Sequence, residues 1–240
     1  MMPTTVSVIG AGRIAAPVID RVRQSPDLRL GRILTRGSAP DIEDGVTEIG
    51  AFLAAPADIV IEAAGPAALR RYGPEILARS ELWTVGASAL ADDDFRAAMR
   101  DMAREHGRAV RLFSDWIAAA DQCVSGIPAR LRLRAARPDL GGRPGVVYDG
   151  PLREAARRFP DDVNSAVAAA LCGPGLDNTD IELIDSGPGG AHGIRGEIEI
   201  GDLRLTTEVD LGSAASGGLH PVAGALIAAL ERRTRPFRYG

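Results

Sequence analysis

The feature that most constrains this chain stands near its beginning. An apolar run, Val6–Ile9, meets Gly10-Ala11-Gly12 and passes at once into a stretch whose Ile14, Val18, Ile19 and Val22 share one helical face. A strand that turns into a helix over G-x-G-x-x-A, here Gly10 to Ala15, opens a βαβ unit. The first glycine permits the tight turn, the second lets backbone approach a pyrophosphate, and the small third residue packs helix on strand. The helix N-terminus offers free N–H groups and the positive end of its dipole to an anion. Gly10, Gly12, Arg13 and Ile14 are therefore expected to hold a dinucleotide, the alternative being a tight turn with no ligand. Pro17 falls just past the first turn, where a kink is expected.

The rest of the first half repeats the alternation. Strands are expected at Leu28–Leu34, Asp58–Ile61, Leu82–Val85 and Ala109–Phe113, with helices at Ala67–Ala78 and Asp93–Glu105. That order predicts a parallel sheet covered on both faces. After Ser114 the pattern changes. "RLRLRAAR" (130–137) alternates with period two, the mark of a strand wet on one face. Asp180–Asp185 follows, then 194–211, where Gly201-Asp202 is placed to turn a hairpin. Helices are expected at Pro151–Arg158, Val163–Leu171 and Pro221–Arg232. The fold class is thus α/β: an N-terminal Rossmann parallel sheet, then a second α+β domain of mainly antiparallel strands. The last helix is expected to return to the first domain, giving boundaries of 1–113 plus 219–240 and 114–218.

A length of 240 residues suits one large domain or two small ones. The net charge of −4 argues against a nucleic-acid partner. No apolar run approaches the ~18 residues that span a bilayer, and "MMPTTVSVIG" lacks the features of a signal peptide, so a cytoplasmic protein with no membrane partner is expected. Cys123 and Cys172 have no metal-ligand spacing and read as reduced thiols; no metal is expected. All 28 basic residues are arginine, which excludes Schiff-base chemistry, a P-loop lysine and a Tyr/Lys pair.

The end of the second strand reports on the dinucleotide. An NAD site usually places Asp or Glu there for the ribose hydroxyls. This chain has Thr35-Arg36-Gly37-Ser38. A guanidinium and a hydroxyl suit a 2′-phosphate, so Arg36 and Ser38 favour NADP, with NAD possible; the plain alternative is a solvated loop arginine. Asp92-Asp93-Asp94 reads as a helix cap, and His106 as a helix end.

Three later stretches carry a family resemblance: 58–92, "FPDDVNSAVAAALCGPG" (159–175) and "GGAHGIRGEIEIG" (189–201). Together with the glycine loop they resemble the L-aspartate dehydrogenase family over most of the chain. The resemblance implies a Rossmann domain, a substrate and dimerisation domain, and a homodimer. It implies interconversion of L-aspartate and iminoaspartate with NAD or NADP, the imine hydrolysing to oxaloacetate and ammonia. It further implies that His192 is the catalytic histidine, that Asn164 binds substrate, and that Ala64, Trp116 and Asp162 stand at cofactor positions. An imidazole with a pKa of about 6.5 suits proton transfer near neutrality. From the residues alone, His192 reads first as a structural histidine, and Asn164 equally as a helix cap.

This chain also departs from the family. Asp162 replaces an asparagine, and an acceptor-only carboxylate cannot do all that an amide does. Trp116 replaces an alanine, which narrows the nicotinamide pocket unless the loop moves. The family's N-P-K-T-S is His220-Pro221-Val222-Ala223-Gly224 here, so His220 is either a second titratable group at the substrate or a surface histidine. A substrate with two carboxylates calls for arginine. Arg130, Arg132 and Arg134 share a face better explained by solvent, and Arg195 is a further candidate. Two other readings remain: a reductase of another small imine or oxo acid, and a dinucleotide-binding protein without catalysis.

Overall fold

The computed structural model describes residues 2–37, 44–114, 116–118, 120–124, 126–138, 140–212 and 218–234. The chain forms two compact units, Met1–Leu112 with Val222–Gly240, and Phe113–Pro221.

In the first unit the elements run β1 (Thr4–Ile9), α1 (Ala15–Gln24), β2 (Leu28–Leu34), β3 (Gly45–Val46), α2 (Ile49–Ala54), β4 (Ile59–Glu62), α3 (Pro66–Leu77), β5 (Glu81–Thr84), α4 (Asp93–Glu105) and β6 (Val110–Arg111). The strands form one parallel sheet in the order β3-β2-β1-β4-β5-β6. Val6, Val8, Ile59, Ile61, Leu82 and Trp83 are fully or almost fully buried, as central strands covered on both faces require. Each such aliphatic side chain contributes about 1.5–3 kcal/mol by leaving water. The chain winds outward from β1 and returns to β4 beside it. Ligands of such sheets bind outside the carboxyl ends at that reversal. A final helix, α7 (Pro221–Thr234), is tied to this unit by Arg21–Glu231 (2.7 Å) and Arg233–Glu81 (2.8 Å).

Several boundaries differ from expectation for local reasons. Pro17 is the third residue of α1, inside the first turn. N–H groups there have no intrahelical acceptor, so the proline forfeits no bond and no kink is called for. Strand β4 begins one residue late because the Asp58 carboxylate accepts from the Thr5 N–H at 2.8 Å. Pro66 takes the first position of α3, where its fixed φ suits a helix. Strand β6 has two residues, not five, and β3 and α2 are too short to show a period in sequence. Asp92 caps α4 as expected, accepting from the Phe95 N–H at 3.1 Å, and His106 ends that helix.

The second unit comprises β7 (Ala129–Arg137), β8 (Gly145–Pro151), α5 (Leu152–Arg158), α6 (Asn164–Cys172), β9 (Thr179–Asp185), β10 (Gly193–Ile200) and β11 (Leu203–Asp210). Its sheet runs β11-β10-β7-β9-β8, antiparallel except for β7 with β9. Gly201, with φ at 57°, turns the two-residue hairpin between β10 and β11. Sequence reading missed β8. Two glycines and a proline in seven residues conceal its alternation, and an edge strand tolerates them. Leu131, Leu133, Ile181, Leu183 and Ile198 line the buried face, and Ala166–Ala170 of α6 are buried as well. The opposite face carries charge: Arg132 pairs with Asp149 (2.8 Å) and Arg134 with Glu182 (3.0 Å). Arg132 and Arg134 therefore serve a solvated face, each exposed pair contributing at most about 1 kcal/mol.

Candidate active site

In the first unit the glycine loop divides its labour. Gly10 has φ at 100°, and a Cβ there would stand 3.0 Å from the Ala63 carbonyl oxygen, so the fold itself demands glycine. At Gly12 no protein atom comes within 4 Å of a Cβ position. Among the described residues, nothing beyond its chain neighbours requires glycine at Gly12; its bare backbone faces open space beside α1. That helix has no side-chain cap and no acidic residue in its first turn. An anion of pyrophosphate type fits this combination of free N–H groups, dipole and missing side chain. Arg13 is exposed and Ile14 half-buried next to it.

Backbone bonds align the neighbouring strand ends. The Gly10 N–H donates to Leu34 O (2.8 Å), Ala63 N–H to Ile9 O (2.9 Å) and Val85 N–H to Glu62 O (3.0 Å). Arg36 is exposed two residues past β2, with no carboxylate partner among the described residues. Ser38 lies outside them. Ala64 is exposed just past β4. Gly10, Gly12, Arg13, Ile14, Arg36 and Ala64 thus gather along one carboxyl edge.

Sequence reading passed over Glu62. It ends β4, is fully buried, and accepts from Ala64 N–H (2.7 Å), Gly65 N–H (2.6 Å), Gly86 N–H (3.2 Å) and the Thr84 hydroxyl (2.6 Å). Burial pushes its pKa above the ordinary carboxylate value, while the hydrogen bonds to Thr84 and the three backbone donors pull the other way. The only trace in sequence was a carboxylate at the end of an otherwise apolar strand.

In the second unit, Arg137 ends β7 and lies in register with Asp185 of β9. Its neighbour Ala136 pairs with Gly193, the residue after His192. Arg137 Nη1 donates to Asp162 Oδ1 at 2.5 Å, which brings the turn before α6 to the same sheet end. Asn164 begins α6, and its Nδ2 donates to Asp161 O at 3.3 Å. Asp162 therefore meets an arginine that sequence reading had not singled out; Asn164 follows two residues on, and His192 directly precedes the Gly193 that pairs with Ala136.

The loop leading to His192 is tightly built. Asp185, buried, accepts from the Gly141 N–H (2.7 Å) and Gly187 N–H (2.8 Å). Ser186 Oγ donates to Ala191 O (2.6 Å), and the His192 carbonyl accepts from Leu211 N–H (2.7 Å). The imidazole is half-buried. Trp116 lies in a turn pinned to β11 by Ala118 N–H donating to Thr207 Oγ1 (2.8 Å). Its Nε1 is buried with no hydrogen-bond acceptor. His220, half-buried, directly precedes α7. Arg195 pairs with Glu197 on the solvated face (2.7 Å).

The family described as "Aspartate dehydrogenase, C-terminal" matches residues 130–209, and "Homoserine dehydrogenase, NAD binding domain" matches 10–112. L-aspartate dehydrogenase 1 of Bordetella pertussis is 32% identical over 243 residues, covering 93% of this chain and 94% of that protein. The chain belongs to the L-aspartate dehydrogenase family. L-aspartate dehydrogenase of Ruegeria pomeroyi, also 32% identical, covers 97% of the chain and 94% of its own length. The crystal structure of aspartate dehydrogenase from Thermotoga maritima shares the fold of this family member, with a TM-score of 0.71 over 99% of both chains at 20% identity. No helix among the described residues of this family member is long and apolar enough to cross a membrane.

Proposed function

We propose that this protein is an NADP-dependent L-aspartate dehydrogenase. It oxidises L-aspartate to iminoaspartate, which water converts to oxaloacetate and ammonia. The observation that carries this reading is near full-length similarity to proteins named L-aspartate dehydrogenase. The open Gly12 backbone beside an uncapped helix supports the coenzyme half of the proposal.

The first unit binds the coenzyme. Gly10 to Ile14 hold the pyrophosphate and Arg36 takes the 2′-phosphate by charge-assisted hydrogen bonds, NAD being the weaker ligand. When bound, the coenzyme supplies the acceptor for the hydride that leaves the substrate α-carbon. The second unit supplies the remaining chemistry. His192 takes the proton released from the substrate nitrogen and passes it to solvent; the neutral imidazole then takes a proton from the water that adds to the imine carbon and returns it to the nitrogen, which leaves as ammonia. Arg137, with one donor engaged by Asp162, offers its others to a substrate carboxylate, and Asn164 contributes an amide beside it. We place the enzyme in the cytoplasm as a homodimer.

The test is direct. Purified protein with oxaloacetate, ammonia and NADPH should oxidise the coenzyme, and L-aspartate with NADP should run the reverse. Trp116 and the engaged Asp162 favour a second reading, a reductase of a different small imine. Turnover with another oxo acid but none with oxaloacetate would select it. No turnover with any acid, despite coenzyme binding, leaves a binding protein.

A further inference from the structure

Glu62 places a buried carboxyl group at the end of a strand that could have ended on an apolar residue. Its side-chain partners come from the loop after β4 and from the end of β5 with the residues just beyond. Its Oε1 accepts from the Ala64 and Gly65 N–H groups, in the loop between β4 and α3. Its Oε2 accepts from Thr84, the last residue of β5, and from the Gly86 N–H just beyond. Thr84 Oγ1 in turn accepts from that same Gly86 N–H at 3.0 Å. Glu62 and Thr84 face each other in register, so the carboxylate bridges two adjacent strand ends.

The surrounding backbone is built for this bridge. Gly65 has φ at 102°, a conformation that glycine adopts without strain. A Cβ on Gly86 would stand 2.7 Å from the Gly65 carbonyl carbon and 2.8 Å from Glu62 Oε2. The two loops therefore touch through glycine with the carboxylate between them. The chain of contacts continues to the glycine loop, since Gly10 lies against Ala63. Removing the carboxylate would leave buried N–H groups unpaired and release both loops at once.

We propose that Glu62 is a positioning residue for the coenzyme: its side chain fixes loops 63–65 and 85–86 in the shape that receives the half of the dinucleotide remote from Arg36. This rests on the coenzyme reading above. In a doubly wound sheet the two halves of a dinucleotide lie on either side of the strand reversal. Arg36 follows β2 on one side; the Glu62 loops follow β4 and β5 on the other. The adenosine end should therefore not sense Glu62, whereas the whole coenzyme should.

The experiment compares NADPH with adenosine 2′,5′-bisphosphate, which carries only the Arg36 end, by titration calorimetry on Glu62→Ala, Glu62→Gln and Thr84→Val. Circular dichroism checks the fold of each. Glu62→Ala should weaken NADPH by about 10-fold, equivalent to about 1.4 kcal/mol, and leave the bisphosphate within about 2-fold. Glu62→Gln should fall between, because its amide oxygen still accepts from Ala64 and Gly65 while its NH2 opposes the Gly86 N–H. Equal weakening of both ligands, or NADPH binding unchanged in a folded Glu62→Ala protein, overturns the proposal. If that variant does not fold, Thr84→Val decides: selective loss of NADPH supports the bridge, and unchanged binding overturns it. Wild-type protein that binds neither reduced coenzyme would sink the coenzyme reading itself. Wild-type binding matched by every variant sinks only the role of Glu62.

Discussion

Arg137 and Asp162 form an ion pair at 2.5 Å that joins the end of β7 to the turn before α6. The carboxylate that replaces the family's asparagine thus has a cation of its own. The pair is about one-third exposed on the arginine side, so its worth to folding is modest. Arg137→Ala should cost about 1 kcal/mol in chemical denaturation. Its larger effect should be on substrate: KM for aspartate should rise by about 10-fold or more, with KM for NADP little changed. An unchanged aspartate KM would remove Arg137 from the substrate site.

Arg36 stands at the end of β2, the place where a carboxylate would select NAD. Replacing it with alanine should weaken NADPH by roughly 10- to 100-fold, the worth of a charged hydrogen bond to phosphate, and leave NADH nearly as before. Calorimetry with both coenzymes reads this directly. Parallel losses would show that Arg36 does not meet a 2′-phosphate.

His192 sits on a loop fixed by Asp185, Ser186 and the edge strand, so its replacement should leave the loop in place. In His192→Ala we expect kcat to fall by about 100-fold or more, with NADPH affinity within about 2-fold of wild type. A variant that keeps its rate excludes His192 as the proton acceptor.

The Glu62 carboxyl is pushed above its ordinary pKa of 4.5 by burial. The folded chain therefore holds this proton more tightly than the unfolded chain. Stability from the group is fully present below about pH 4.5 and is lost as pH rises through the raised value. Glu62→Gln carries no such proton. Measured side by side, the melting temperature of the variant relative to wild type should climb as pH rises above about 4.5. A difference that stays flat, or moves the other way, would mean that the four hydrogen bonds outweigh desolvation.

By itself the sequence determined the layers. The apolar run into Gly10 and Gly12, the alternation of strand and helix periods to residue 113, and the two-residue period of 130–137 each act within a few neighbours, so they survive translation into structure. The coenzyme-side residues were readable for the same reason: a turn and a strand end are local. Where periodicity was absent, as in the two residues of β3 or the glycine-rich β8, there was nothing to read. Tertiary structure alone decided the partners. Arg137 and Asp162 lie 25 positions apart, and Glu62 and Thr84 22 apart. Only strand register and helix packing bring such groups within hydrogen-bond distance. A buried charge is meaningful through what surrounds it, and its surroundings are assembled from segments that share no local pattern.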